Sequence, residues 1–130
     1  GALKLKELAY LHAEGFAAGE LKHGPIALVE DGVPVFVVVP PKARDQLQEK
    51  IVSNIQEVRA RGARTIVLVE EGDDSVVPYS DHVIRLPKLP TLLQPLVATV
   101  PLQIFECELA AQLGHDVDQP RNLAKSVTVE

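Results

Sequence analysis

This chain of 130 residues contains no tryptophan and no methionine, only one cysteine, and 4% aromatic residues. Each absence narrows what it can be. One cysteine, Cys107, cannot form an internal disulfide, so the chain is expected to fold in a reducing, cytoplasmic setting. Cys107 lies in an apolar stretch and reads as a small buried hydrophobe rather than a reactive thiol. Without methionine the sequence has no start residue, and it is expected to be a piece of a longer protein. No basic cluster offsets the net charge of −5, which argues against nucleic acid or an anionic membrane as partner. The longest apolar stretch, Leu92 to Leu113, is broken by Gln94, Pro95, Pro101, Gln103, Glu106 and Glu108 and is too polar to cross a bilayer. The beginning, with Lys4, Lys6 and Glu7, reads as an amphipathic helix and not as a signal peptide.

What remains is a chain that is 46% hydrophobic and 24% charged, rich in Val, Leu, Ile and Ala. Such a composition suits strands buried between helices, and the length suits one domain. Residues 3–18 carry apolar positions at three- and four-residue steps, which predicts a helix ended by Gly19 and His23-Gly24-Pro25. Pro34 to Val39 is a β-branched run, predicting a strand buried on both faces. The clearest helix covers 42–61, with Leu47, Ile51, Ile55 and Val58 as its stripe and Gly62 as its stop. Strands are predicted at Thr65–Val69 and His82–Leu86. A long buried helix should follow over 91–113, bent or interrupted at Pro101.

Strand, crossover helix, strand at this spacing implies a parallel pair. The expected fold is α/β: a three-layer α/β/α sandwich, flavodoxin-like, with a mainly parallel sheet. Ligands in such sheets sit at the carboxyl ends of strands, yet Pro40-Pro41 and Glu70-Glu71-Gly72 carry no obvious chemistry there. The residues that could carry chemistry lie near the two termini. Lys4 and Glu7 are three apart and share a helical face, a spacing equally satisfied by a surface ion pair. His23 precedes Gly-Pro on a turn, where a ring can titrate near neutrality or simply sit exposed. His12, His82 and His115 do not join it at any metal-ligand spacing, so no metal site is expected. The last residues, 116–130, contain Pro120, Arg121, Lys125 and an alternation of Val127 and Val129. They have side chains enough to dock on a surface, although a frayed tail would look similar.

Three stretches carry a resemblance: Gly1 to Glu14 with Ala17 to Pro25, Asn54 to Gly62, and Val100 to Gln103 together with the tail from Asp116. They are similar to the isomerase half of the glucosamine-6-phosphate synthases, which aminate and isomerise fructose 6-phosphate with glutamine as nitrogen source. The resemblance implies a sugar-isomerase (SIS) fold, with 1–115 as the second SIS subdomain and 116–130 as an active-site tail. It implies that Lys125 engages the ketose through an imine and that Glu7 shuttles a proton between sugar carbons 1 and 2. It further implies that His23 assists ring opening across a homodimer interface, and that Lys4 assists proton transfer. Arg121 would organise the closed site, and backbone near Ala124 would line the sugar pocket.

These residue types fit that chemistry. Imine formation needs a neutral amine, and a covered site near Arg121 would favour one. One carboxylate over two adjacent carbons can act as base and then as acid. The implied enzyme is a cytoplasmic transferase of amino-sugar biosynthesis, needing no metal or organic cofactor. Its phosphate site is a Ser/Thr-rich loop in the first SIS subdomain. Here only Ser53, Ser75, Ser80 and Ser126 are present, with no Ser-x-Ser-x-x-Thr cluster. The cysteine of the glutaminase domain is also missing. The chain alone is therefore expected to be inactive and to depend on the first SIS subdomain and glutaminase domain of one parent. Two other readings remain: a related sugar-amine phosphate deglycase or isomerase, and a non-catalytic SIS module that binds a sugar phosphate.

Overall fold

A computed structural model describes residues 1–41 and 45–123, with 45 and 46 described by backbone alone. The chain divides into two units: Phe16–Ala98, and Gly1–Gly15 with the described residues from Thr99 onward.

The first of these units holds the sheet. Strands β1 (Pro34–Val38), β2 (Arg64–Glu70) and β3 (His82–Leu86) lie side by side in that order. Both pairs are parallel, with Phe36 opposite Ile66 and Leu68 opposite Ile84. Helix α2 (Asp45–Arg59) links β1 to β2, as the apolar stripe predicts. Its Ile51 and Ile55 pack with Val39, Val67, Val69 and Val76 into one buried cluster. Period-two alternation places Val67 and Val69 of β2 on the sheet face that meets the helix. Gly62 ends α2 at φ 88°, with the N–H of Ala63 returning to the carbonyl of Val58. A β-carbon at Gly62 would lie 2.8 Å from the Asp31 Cα, so the site needs glycine for space as well as for angle.

The link from β2 to β3 has no helix beyond a single turn, Val77–Tyr79. Asp81 secures it instead. Its Oδ2 accepts from the N–H of Thr65 at 2.7 Å and from the Thr65 hydroxyl at 2.8 Å. These two bonds hold Asp81 below the usual carboxylate range.

Four expectations change. Cys107, expected to be a buried hydrophobe, is exposed. The strand expected to be buried on both faces is the sheet's edge, and Val38 is 51% exposed. The helix expected over 3–18 stops early. It comprises α1 (Ala2–Lys4) and a wider π turn, Leu5–Ala9. There the Leu5 carbonyl accepts the N–H groups of both Tyr10 and Leu11, and Tyr10 turns left-handed at φ 55°. The final helix, α3 (Gln94–Gln112), runs through Pro101 as one segment but is not buried all round. Ala98, Glu106 and Ala110 are buried at multiples of four, whereas Leu96, Val100 and Ile104 are exposed.

Candidate functional site

The unit formed by both ends of the chain contains three of the expected residues. Lys4 lies at the end of α1 and Glu7 in the π turn that follows. One turn apart, they meet: Lys4 Nζ donates to Glu7 Oε2 at 2.6 Å. Hydrogen bonding and attraction from Glu7 hold the Lys4 amine above its ordinary 10.5. Lys4 is therefore an ammonium at neutral pH, able to stabilise negative charge but unable to attack a carbonyl. The Glu7 side chain is 22% exposed, leaving its carboxylate open to solvent on one side.

Arg121 is the third residue, and it arrives through Tyr10. The left-handed turn at Tyr10 ends the helix and presents its ring. The Arg121 backbone N–H donates to the Tyr10 hydroxyl at 2.7 Å, and its guanidinium lies 4.1 Å from the ring centroid. His115 packs edge-on against the same ring, with centroids 4.8 Å apart. Between these contacts the chain is folded by Asp116, whose Oδ1 accepts from the N–H groups of Asp118 and Gln119. Thus the described part of the tail is seated three residues beyond Glu7 in sequence. Lys125 and Ala124 lie outside the described residues.

His23 belongs to the sheet unit. It closes a short turn, Leu21–His23, before Gly24 at φ 142°. Its ring is 71% exposed, with Nδ1 3.1 Å from Glu20 Oε2. The neighbouring Lys22 bonds to Glu57 on α2 at 2.7 Å, which depresses the Glu57 carboxyl and anchors the turn. Nothing within that unit gives His23 a catalytic partner among the described residues. An open groove of 740 Å³ at the carboxyl end of β1, lined by Lys22, Val38, Pro40, Lys50, Ser53 and Asn54, contains none of the expected site residues.

Two participants escaped the sequence reading. Tyr10, one of only two tyrosines, had no role until Arg121 was seen against it. Glu106 read merely as a polar interruption of an apolar run. The four-residue step Ala98, Leu102, Glu106, Ala110 was the available signal that it faces inward. Among the described residues no group of His, Cys, Asp and Glu could hold a metal ion, and no helix is long and apolar enough to cross a membrane.

Comparison with known proteins gives this geometry a setting. Residues 1–113 match the SIS domain family model. The glutamine–fructose-6-phosphate aminotransferase [isomerizing] of Streptomyces coelicolor is 76% identical over the whole of this chain, which covers 21% of that protein. The protein of the same name from Mycobacterium tuberculosis is 66% identical with the same coverage. A solved structure, the C-terminal domain of glucosamine-fructose-6-phosphate aminotransferase from Francisella tularensis, superposes with a TM-score of 0.78 at 44% identity. It covers 92% of this chain and 33% of that one. The chain thus spans about a fifth of the length of the curated relatives it matches.

Proposed function

This chain belongs to the SIS domain family, and we propose that it is the sugar-converting end of a glutamine–fructose-6-phosphate aminotransferase. In this reading residues 1–115 form the second SIS subdomain and 116–130 the active-site tail. The parent converts fructose 6-phosphate and glutamine to glucosamine 6-phosphate and glutamate. Its partners are the first SIS subdomain and the glutaminase domain of the same polypeptide, in a cytoplasmic homodimer.

The observation that carries this reading is the Lys4–Glu7 pair at 2.6 Å in the unit where Arg121 is seated on Tyr10. In the mechanism, the neutral amine of Lys125 attacks carbon 2 of the open-chain ketose and water leaves, forming an imine. Ammonia then takes the place of the lysine. Glu7 accepts a proton from carbon 1 and returns it at carbon 2. Lys4, held as an ammonium by Glu7, offsets the negative charge that develops between those steps. The two lysines therefore have different work: the nucleophile must be neutral, and Lys4 is not. His23 of a second protomer assists ring opening, and Arg121 and the backbone near Ala124 complete the sugar pocket.

The test is glutamine-dependent amination by the full-length polypeptide. Glu7→Gln keeps the shape and removes the base. It should lower kcat by roughly a hundredfold or more, the usual scale of a positioned acid–base group. Turnover unchanged in Glu7→Gln would refute the assignment and favour a sugar-phosphate-binding module.

A further inference from the structure

Tyr10 stands where its own residue type is disfavoured. At φ 55° its backbone is left-handed, a region in which a β-carbon crowds the chain. Glycine fills such a place without strain, and the chain uses it after both of its long helices: Gly62 beyond α2 at φ 88° and Gly114 beyond α3 at φ 78°. A tyrosine persists there when its surroundings over-determine it. Its side chain supplies those contacts. The hydroxyl accepts the Arg121 N–H at 2.7 Å, the Arg121 guanidinium lies 4.1 Å from the ring centroid, and His115 packs edge-on at 4.8 Å. Ending the helix therefore does not explain a tyrosine at this position, whereas holding Arg121 does.

The same residue closes the turn that carries Glu7. The N–H groups of Tyr10 and Leu11 both return to the Leu5 carbonyl, which makes Leu5–Ala9 a π turn rather than a further α turn. Such turns are rare and concentrate at functional sites. The Tyr10 backbone thus fixes the segment of the carboxylate, and its side chain fixes the start of the tail 111 residues away. We propose that Tyr10 is a positioning residue that joins the Glu7 turn and the tail into one unit, so that seating Arg121 also sets the turn from which Glu7 acts. The inference rests on the reading of Glu7 as the proton carrier and of the tail as part of the site. Lys125 follows Arg121 by four residues in the sequence. Release of Arg121 therefore frees the nucleophile of that reading and loosens the turn of its proton carrier together.

The experiment compares the full-length polypeptide with its Tyr10→Phe and Tyr10→Gly variants in glutamine-dependent amination. Tyr10→Gly discriminates, because glycine suits the left-handed helix end and deletes every side-chain contact to the tail. Its kcat should fall by roughly ten- to a hundredfold, the scale of a displaced reacting group, with the melting temperature and the KM for fructose 6-phosphate little changed. Tyr10→Phe keeps the ring contacts and loses one hydrogen bond, so its kcat should fall about fivefold. Full turnover in Tyr10→Gly would overturn the proposal, since ending the helix would then be all that Tyr10 does. A second arm reads the coupling without catalysis. Ending the polypeptide at Gln119 removes Arg121 and leaves Tyr10 in place. Coupling is reciprocal, so the Leu11 amide, bonded to the Leu5 carbonyl at 3.4 Å, should exchange several-fold faster while the Val67 amide is unchanged. This arm decides the matter if Tyr10→Gly does not fold, and a Leu11 amide as protected as in the wild type would overturn the proposal. The two readings fail separately. Unchanged turnover in Glu7→Gln sinks the functional reading and leaves the Leu11 exchange to judge the coupling. Leu11 exchange indifferent to the tail sinks this inference alone.

Discussion

Replacing Tyr10 should release the described tail in two measurable steps. Tyr10→Phe keeps the ring under the Arg121 guanidinium and against His115 but removes the hydroxyl that accepts the Arg121 N–H at 2.7 Å. A hydrogen bond of this kind contributes about 1 kcal/mol net, so the docked population should fall roughly fivefold relative to the undocked. Tyr10→Ala also removes the cation–ring contact, worth roughly 0.5–1 kcal/mol at an exposed site. The edge-on His115 contact adds roughly 0.5–1.5 kcal/mol. The total, about 2–3.5 kcal/mol, corresponds to a shift of roughly thirty- to several-hundredfold. Amide hydrogen exchange at Arg121, read beside a core amide such as that of Val67, separates local release from global unfolding. Protection at Arg121 should fall in the order wild type, Tyr10→Phe, Tyr10→Ala, with Val67 unchanged. Equal protection at Arg121 in all three proteins would refute the seating of the tail on Tyr10.

Two further predictions concern the sheet unit. Ile55 is fully buried in the cluster shared by α2 and the sheet, so Ile55→Ala should cost about 2–5 kcal/mol in urea unfolding, and a loss below about 1 kcal/mol would contradict that packing. Asp81, held low by Thr65, contributes stability that is present above its ordinary value of 3.8 and is lost as pH falls through its lower folded value. Asp81→Ala should cost roughly 1–3 kcal/mol at pH 7, because the buried Thr65 donors lose their partner. The gap to wild type should narrow steadily below about pH 3.8, and a gap independent of pH would contradict the charge-assisted bonds.

Much of the sheet unit was legible because its signals are local. The stripe of Ile51, Ile55 and Val58, the stop at Gly62 and the runs of β2 and β3 each depend on residues near one another in sequence. The misreadings share the opposite cause. The periodic pattern over 3–18 is sound as far as Ala9, but the turn at Tyr10 is bonded to Arg121, 111 residues away, and no short window contains both. The β-branched run of β1 gave its extended conformation and not its place at the sheet edge. Pro101 was expected to bend or interrupt α3, and the loss of one backbone N–H does not interrupt it. For the site, spacing foretold that Lys4 could meet Glu7. Resemblance, not spacing, singled out Arg121, His23, Ala124 and Lys125. Glu106 escaped because a polar residue in an apolar run normally faces water, whereas here it faces inward.

The most direct test of the central claim is borohydride trapping of fructose 6-phosphate on the full-length polypeptide, followed by peptide mapping. Imine chemistry in the tail predicts a reduced sugar adduct on Lys125 and none on Lys4, which Glu7 keeps protonated. Normal turnover with Lys125 unmodified, or an adduct on Lys4 instead, would contradict it.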